Sequence, residues 1–509
     1  MYVTNRLRGP VMLSRCFSRA RLLYLESKAA NGERRFIKKL PLSESFTQWR
    51  KSLKANRLET LQNELIEMMV PNTVENSKII RGQDKIVLDK EGNYINEVNF
   101  QIVNDCSAEL KHIVFIHGYG ASLGCFARNF ELIKKFQDKK FNYKLHFLDN
   151  ITFGLSSNPK VDNKQANKWK IERCPPIKLI DHDLPTDKTE LYNKYYKLIE
   201  GYQVNPEKFI KYQKLFTPVL SDLEAFYTQA INNWRLAQGI SKIDYLVGHS
   251  FGGYWSASYS LKYPNNLNHL ILLSPIGIER HVHAVTNDII PKLVTDKNDD
   301  GPILKPCLDP TKYNFLSRYP ILSKRHIEGY YWKVPLLPRI LKYFGPWGYR
   351  YYFDMWYGKL FKINKVKQNI TKNGDFIDDK EHNSSIYGTT REISLIVDYL
   401  FNAITNGSSS DIYVRNLLTP SSVSKYPIYD KFVQYIKTNP QASFKIDLIY
   451  GEYDFMNSEA GDKLSTLINE NTNHEANVHR IQQGGHNLYI DNPWHTNQLI
   501  HDLVSKDNV

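Results

Sequence analysis

The chain is organised around the stretch Ile243-Asp244-Tyr245-Leu246-Val247-Gly248-His249-Ser250-Phe251-Gly252-Gly253. Its first five residues are mostly apolar and form a run short enough for a buried strand, and the next five spell G-x-S-x-G. This pattern is typical of a nucleophile elbow, in which Gly248 and Gly252 leave room for a sharp strand-to-helix turn that exposes Ser250. A glycine-bracketed turn without chemistry is the alternative that the pentapeptide alone leaves open.

The flanking residues favour the elbow. Residues 254–261 are small or apolar and predict a helix that ends near Pro264, and residues 269–275 form a second apolar run. Strand, turn, helix and strand in this order is the arrangement that the motif requires. A serine hydroxyl also needs a base to accept its proton and a third group to orient that base.

Candidates for both groups follow downstream. Residues 444–450 predict a late core strand, and Asp454 lies in the loop after it. Residues 478–481 predict the last strand, and the paired glycines after it allow a loop to bring His486 back over the elbow. The sequence therefore predicts Ser250 as nucleophile, Asp454 as acid and His486 as general base, in the chain order that alpha/beta-hydrolases use.

An oxyanion hole is predicted after the apolar run 114–116, where His117-Gly118-Tyr119-Gly120 follows the HG-x-G pattern. We expect the backbone amides of Tyr119 and Phe251 to stabilise the developing negative charge. His117 is either a residue that stabilises this turn or a second catalytic base. Asp149, the last residue of the predicted strand 144–149, is either a turn-stabilising residue or a reserve carboxylate.

Length and charge limit the classes of protein to consider. The 509 residues exceed one compact core, and the formal net charge of +14 favours an anionic partner. No nucleic-acid-binding module is visible and no apolar run is long enough to span a bilayer, so we expect peripheral contact with an anionic membrane surface and no nucleic acid. Five widely spaced cysteines without C-x-x-C predict neither a disulfide framework nor a zinc site, and Cys125 is expected to be buried.

The first 30 residues predict a mitochondrial transit peptide. They contain five arginines before Glu26, the first acidic residue, and their apolar residues can share one helical stripe. The arginines are Arg6, Arg8, Arg15, Arg19 and Arg21. A basic tail that binds lipid directly is the alternative.

The remaining chain predicts an α/β fold with a mostly parallel central sheet flanked by helices and a large, mainly helical cap insertion. A helix is predicted over 45–69 and a hairpin with arms 85–88 and 94–103. The predicted units are an N-terminal helical extension at 31–84, a first core part at 85–276 with a surface insert at 157–221, the cap at 277–441 and a C-terminal core part at 442–509.

Within the cap, residues 330–367 combine aromatic side chains with lysine and arginine, and Asp354 is their only carboxylate. Aromatic rings settle at headgroup depth and cations pair with anionic lipid, so this stretch predicts membrane contact. An ordinary helical cap with inward-packed aromatics is the alternative. The expected contacts are Trp332, Lys333, Trp347, Arg350, Trp356 and Lys359.

The loops at 114–122 and 248–254 and the segment Gly485-His486-Asn487-Leu488-Tyr489-Ile490-Asp491 resemble the alpha/beta-hydrolase subfamily of the fungal mitochondrial cardiolipin-specific deacylase. The animal lipid-droplet lipase coactivator and N-acylphosphatidylethanolamine lipase are similar too. The resemblance implies that Ser250, Asp454 and His486 act on a phospholipid acyl ester. It also draws attention to H-x-x-x-x-D, formed by His486 and Asp491 and tied in this subfamily to acyl-CoA-dependent acylation of lysophospholipids. Asp491 is expected either to hold the loop or to serve acyl transfer.

The sequence therefore predicts a serine hydrolase that removes an acyl chain from a phospholipid, with cardiolipin at the mitochondrial inner membrane as the expected substrate. The route needs no metal or cofactor. One alternative is a lysophosphatidate acyltransferase, which adds acyl-CoA as a partner. The other is a non-catalytic lipase coactivator at a lipid surface.

Overall fold

The computed structural model describes residues 39–70, 78–137, 139–168, 175–181, 196–280, 283–287, 303–304, 318–320, 338–372, 389–419, 422–439 and 444–506. The predicted transit peptide at 1–30, Trp332 and Lys333 lie outside these residues. Over the described ranges the predicted α/β fold is confirmed, with one large sheet between two layers of helices.

The large sheet has eight strands in the order β1-β2-β4-β3-β7-β8-β11-β12. They are β1 Ile79–Val87, β2 Tyr94–Ile102, β3 Leu110–Ile116, β4 Asn142–Leu148, β7 Ile243–His249, β8 Leu267–Leu273, β11 Lys445–Gly451 and β12 Glu475–Ile481. Strands β1 and β2 form the predicted antiparallel hairpin, with Gly92 at φ +77° in its turn. From β4 to β12 all neighbours are parallel, so the loops that follow these strands meet at one sheet edge.

The sheet is covered on both faces because its strands are apolar on both faces. In β3, Val114 and Ile116 belong to one core layer, whereas Ile113 and Phe115 belong to the other. This is the period of two that a strand imposes on its side chains. All four residues are fully buried, as expected for a central parallel strand.

The described helices are α1 Leu42–Ser52, α2 Arg57–Met69, α3 Leu132–Lys135, α4 Pro206–Ala237, α5 Phe251–Lys262, α6 Gly345–Lys372, α7 Thr390–Thr405, α8 Ser410–Leu417, α9 Ile428–Thr438, α10 Ser458–Asn471, α11 Leu488–Asp491 and α12 Pro493–Lys506. Three 3₁₀ segments span Leu123–Glu131, Pro264–Asn266 and Pro338–Phe344. No helix among the described residues combines the length and the apolar character needed to cross a bilayer.

The prediction of one helix over 45–69 is wrong, because α1 ends at Ser52 and α2 begins at Arg57. The break lets the two helices contact different elements: α1 packs against α6, and α2 packs against α7. The predicted start of the core at residue 85 is also too late, because β1 begins at Ile79 and pairs along its whole length with β2.

The predicted surface insert at 157–221 is only partly a surface segment. Its last residues form the first half of α4, where Phe209, Tyr212 and Phe216 are buried in the core. These residues recur at helical spacing among lysines, and that spacing was the signal for a core helix. Similarly, α9 lies within the predicted cap segment but packs against the core helices α5 and α10.

A second, antiparallel sheet joins the insert to the cap segment. Strand β6 (Tyr196–Val204) pairs with β5 (Ile177–Asp181), with β9 (Ile303–Leu304) and with β10 (Arg318–Pro320). The two long excursions from the core, which are far apart in sequence, therefore share one element of structure.

Candidate active site

Ser250 lies between β7 and α5 in a strained backbone conformation, with φ +51° and ψ −113°. A non-glycine residue at positive φ is unfavourable and persists only where its surroundings enforce it. The two motif glycines are part of that enforcement. A Cβ on Gly248 would lie 2.4 Å from Ser256 Oγ, and one on Gly252 would lie 2.3 Å from the carbonyl oxygen of His117.

The structure brings Ser250, His486 and Asp454 together, although they are far apart in sequence. His486 Nε2 lies 2.9 Å from Ser250 Oγ, and His486 Nδ1 lies 3.0 Å from Asp454 Oδ1. Burial acts to raise the pKa of Asp454, but the neighbouring His486 and the hydrogen bonds to Asp454 outweigh it and hold this pKa below its ordinary value. The carboxylate is therefore charged where it meets the imidazole, which keeps the proton on Nδ1 and leaves Nε2 to accept the serine proton.

The loops that carry Asp454 and His486 are held against each other by backbone contacts. The Tyr453 N–H donates to the carbonyl oxygen of Gly484 over 2.8 Å. A Cβ on Gly451, at the end of β11, would lie 2.4 Å from the carbonyl oxygen of Gly485. The glycines therefore permit a close approach of the two loops, which places Asp454 beside His486.

The predicted oxyanion loop lies directly against Ser250. A Cβ on Gly118 would lie 3.0 Å from Ser250 Cβ, so a larger residue there would press on the serine. Phe251 is the first residue of α5, and the amide of such a residue has no acceptor within its own helix. This arrangement suits the expected pair of donors, the amides of Tyr119 and Phe251.

His117 supports this loop. Its ring is fully buried, Nδ1 lies 2.8 Å from the carbonyl oxygen of Gly118, and Nε2 accepts the Asn150 N–H over 3.1 Å. Both ring nitrogens are engaged with backbone, and burial lowers the pKa of His117. Of the two roles considered for this residue, the structure favours stabilisation of the turn over proton transfer.

Asp149 has a similar supporting role. Its carboxylate accepts hydrogen bonds from Ser122 Oγ and from the amides of Leu123 and Leu155, at 2.6 to 2.8 Å. It therefore holds the segment that follows the oxyanion loop, and a Cβ on Gly154 would collide with it. Cys125, in the same segment, is buried as expected, and burial raises the pKa of its thiol to about 12.

His249, the residue before the predicted nucleophile, is a further member of the site that no sequence motif identifies. His249 Nε2 lies 3.0 Å from the carbonyl oxygen of His486, and Tyr489 Oη lies 3.4 Å from His249 Nδ1. Burial lowers the pKa of His249 to about 3, so the ring is neutral and can donate from one nitrogen while it accepts at the other. His249 occupies the first x of G-x-S-x-G, and the pattern itself assigns no role to that position.

Asp491, the second residue of H-x-x-x-x-D, faces the interior. Its carboxylate is 1% exposed, Oδ2 accepts the Gly485 N–H over 3.1 Å, and Oδ1 lies 2.5 Å from Lys359 Nζ on α6. It therefore holds the residue next to His486 and connects that loop to the cap. Lys359 is one of the predicted membrane contacts, but the structure gives it this internal ion pair and places it over the ring of Trp356.

The other expected lipid contacts differ from one another. The Trp347 side chain is 63% exposed, whereas Arg350 is partly buried and lies 3.8 Å from Asp354 on the same helix. Trp356 is partly buried and packs against the core layer beneath α6. Of the four described residues, Trp347 therefore has the exposure that direct membrane contact requires.

A second buried connection links the cap to the core beside the site. Arg128 forms a paired ion contact with Glu392 of α7, at 2.6 and 2.8 Å, and donates to the carbonyl oxygen of Ile490 over 2.6 Å. Both charged side chains are almost fully buried. Within the described ranges, no group of three or more His, Cys, Asp or Glu side chains is arranged to hold a metal ion.

A family model described as alpha/beta hydrolase fold matches residues 111–299, which include the elbow. "Protein ECM18" of Saccharomyces cerevisiae is 27% identical over 89% of this chain and 81% of its own length. "1-acylglycerol-3-phosphate O-acyltransferase ICT1" of the same yeast is 28% identical over 77% of this chain and 82% of its own length. The crystal structure of carboxylesterase CesB from Bacillus subtilis aligns with a TM-score of 0.38 and 11% identity, covering 89% of this chain and 97% of that one. Together with the strand order and the elbow, the family match shows the alpha/beta-hydrolase fold.

Proposed function

We propose that this alpha/beta-hydrolase-fold protein is a serine enzyme that removes an acyl chain from a phospholipid through an acyl-enzyme intermediate at Ser250. The observation that carries the proposal is the continuous contact from Ser250 through His486 to Asp454. A hydroxyl, an imidazole and a buried carboxylate at these distances form the apparatus that makes serine a nucleophile at neutral pH.

In the proposed mechanism, Ser250 Oγ attacks the ester carbonyl carbon while His486 Nε2 takes its proton. The amides of Tyr119 and Phe251 stabilise the negative charge that develops on the carbonyl oxygen. Collapse of the tetrahedral intermediate breaks the ester bond, and His486 returns the proton to the departing lysophospholipid oxygen. Water, deprotonated by His486, then attacks the acyl-enzyme, the bond between Ser250 Oγ and the acyl carbon breaks, and His486 returns the proton to Ser250 Oγ as the fatty acid leaves. The route uses no metal and no cofactor.

Two observations support a lipid substrate. One of the two yeast relatives is named 1-acylglycerol-3-phosphate O-acyltransferase ICT1, and the match covers 77% of this chain and 82% of that protein. The chain also presents exposed aromatic side chains on α6 and an overall surplus of positive charge, which suit an anionic lipid. We propose cardiolipin as the substrate and the mitochondrial inner membrane as the location. The proposed location depends on the transit peptide expected at 1–30.

The second candidate function is acyl transfer to a lysophospholipid, and the name of the yeast relative ICT1 favours it. In this route Ser250 attacks the thioester of acyl-CoA, and CoA leaves as the thiol with the proton that His486 took from the serine. A lysophosphatidate hydroxyl, deprotonated by His486, then attacks the acyl-enzyme, which breaks the serine ester, releases phosphatidate and returns the proton to Ser250. Asp491 is buried and paired with Lys359 and the Gly485 amide, so we assign it a positioning role in both routes. A purely non-catalytic coactivator has no need of the relay described above, which makes this alternative the weakest of the three.

Labelling with a fluorophosphonate probe tests the catalytic proposal. We expect the full-length protein and the Ser241→Ala control, which alters an exposed serine before β7, to be labelled, and Ser250→Ala to remain unlabelled with its fold intact. Equal labelling of Ser250→Ala and wild type would reject Ser250 as the nucleophile.

A product assay then separates the two routes. The protein is given cardiolipin vesicles in one reaction, and acyl-CoA with lysophosphatidate in the other. Release of monolysocardiolipin and free fatty acid that exceeds phosphatidate formation supports hydrolysis. Faster formation of phosphatidate with no release of lysolipid supports the acyltransferase.

A further inference from the structure

Helix α1 has an unusual distribution of its side chains. Its buried residues are Ser45 and Ser52, whereas Phe46 and Leu53 are 49% and 52% exposed and Leu42 is exposed as well. At 100° per residue, Leu42, Phe46, Trp49 and Leu53 lie within about 60° of one another on the helix surface. Within this stripe Trp49 is partly buried and packs against a core layer, whereas Leu42, Phe46 and Leu53 are exposed beside it. Exposed apolar residues on a helix whose buried positions are serines are unusual for a helix that packs on a protein core.

This stripe continues onto the 3₁₀ segment Pro338–Phe344 and the start of α6. The Trp49 Nε1–H donates to the carbonyl oxygen of Lys342 over 3.0 Å, and the amide of Leu40 donates to Asp354 Oδ1 over 3.0 Å. Residue 40 is thus beside residue 354, and residue 49 is beside residue 342, so the two segments run antiparallel and in contact. Four exposed aromatic residues lie on the second segment: Tyr343, Phe344, Trp347 and Tyr351.

The composition around this surface indicates its partner. Lys39, Arg50, Lys51 and Lys54 are exposed on the α1 side, and Glu44 is the one carboxylate between residues 39 and 54. Exposed aromatic rings and aliphatic side chains with adjacent cations are typical of segments that enter the headgroup region of an anionic bilayer. Lysine is depleted at protein–protein interfaces, so Lys39, Lys51 and Lys54 beside the apolar side chains favour an anionic bilayer over a protein partner.

We infer that α1 with the adjoining Leu53, the 3₁₀ segment Pro338–Phe344 and the first half of α6 form one docking surface, which inserts its apolar side chains into the interface of an anionic phospholipid bilayer. The surface is defined by Leu42, Phe46, Leu53, Tyr343, Phe344, Trp347 and Tyr351. The inference deepens the proposed function, on which its biological meaning rests. It adds α1, which no motif singled out, and it excludes Lys359 and Trp356 from the contact. Helix α6 also connects the surface to the site, because Lys359 lies twelve residues after Trp347, about 18 Å along the helix.

Vesicle flotation of the full-length Ser250→Ala protein tests the inference without any dependence on catalysis. The vesicles contain phosphatidylcholine alone or phosphatidylcholine with cardiolipin, at low and high salt. We expect binding to the cardiolipin vesicles that weakens at high salt, and at least a tenfold loss of binding for Phe46→Ser/Trp347→Ser. The matched control is Leu236→Ser/Val87→Ser, which alters two residues that are 58% and 57% exposed elsewhere on the fold and should leave binding within about twofold of wild type.

Circular dichroism and gel filtration of each variant show whether it is folded and monomeric. The inference is overturned if the parent protein fails to bind cardiolipin vesicles, if the double variant binds as the parent does, or if the control loses binding equally. It is also overturned if the parent is a dimer that Phe46→Ser/Trp347→Ser converts to a monomer, because the surface is then an interface between two copies. Failure of the proposed function is seen separately, in the probe-labelling and product assays of the wild-type protein.

Discussion

The ion pair between Lys359 and Asp491 makes the sharpest prediction, because it is buried and joins the cap to the loop of the proposed general base. The carboxylate is 1% exposed and the lysine side chain 12% exposed. Lys359→Met leaves this buried carboxylate without its cationic partner, which should lower the free energy of unfolding by about 3–5 kcal/mol. Asp491→Asn keeps an acceptor for the Gly485 amide but leaves the Lys359 ammonium without its carboxylate. Because the flexible lysine side chain can bring its ammonium to water, we expect the free energy of unfolding to fall by about 3 kcal/mol.

The double variant Lys359→Met/Asp491→Asn should recover most of the loss, because it removes both charges and keeps the amide hydrogen bond. Replacement of a buried ion pair by neutral groups of similar size costs little, so we expect the double variant to lie within about 1–2 kcal/mol of wild type. Urea unfolding of the four proteins measures the coupling energy. Additive losses, within about 0.5 kcal/mol, would refute the coupling.

The same variants test the positioning role of Asp491 in catalysis. Asp491→Ala also removes the acceptor for the Gly485 amide, and displacement of the adjacent His486 by about 1 Å can cost on the order of a hundredfold in kcat. We expect kcat to fall in parallel for a short-chain ester and for any acyl transfer, with Asp491→Asn retaining more activity than Asp491→Ala. Selective loss of transfer in Asp491→Asn, with hydrolysis and stability unchanged, would instead assign Asp491 to the acyl acceptor.

Three further predictions concern the elbow and its support. Gly252→Ala places a methyl group 2.3 Å from the His117 carbonyl oxygen, so thermal unfolding should show strong destabilisation; a wild-type melting temperature would contradict this. Glu392→Gln leaves the buried Arg128 guanidinium without a carboxylate partner and should lower the free energy of unfolding, measured with urea, by about 3–5 kcal/mol. An unchanged urea midpoint would show that the pair is dispensable. His249 has a pKa of about 3 in the folded state, below its ordinary value, so its stabilising contribution is complete above pH 6.5 and declines as pH falls towards 3. The stability difference between wild type and His249→Gln should therefore shrink by up to about 1.4 kcal/mol per pH unit below 6.5, and a constant difference would exclude this titration.

Much of the fold and of the proposed catalytic residues could be predicted because their signals are local. The elbow needs glycine at fixed positions beside Ser250, and the structure shows why, since a Cβ at Gly248 or Gly252 would collide with its neighbours. Asp454 and His486 follow strands that end at the same sheet edge as the elbow, so a parallel sheet brings them together. Most of the core strands follow in the same way from short apolar runs separated by helices, whereas the order of the strands in the sheet is set by the tertiary structure.

The contacts that hold these groups in place could not be predicted, because each depends on residues that are far apart in sequence. His249 with the His486 carbonyl, Lys359 with Asp491, and Arg128 with Glu392 combine common residue types at spacings that carry no local signal. The outward face of α1 is a further example.

The amino-acid sequence by itself determined the period-two and period-3.6 patterns and the strained turn at Ser250, because backbone geometry restricts which residues can occupy those positions. It also determined the chain order of the three predicted catalytic residues. Only the tertiary structure decided which charges are buried and which apolar side chains stay exposed. Burial depends on what packs against a residue from elsewhere in the chain, and that is a property of the folded arrangement rather than of any segment.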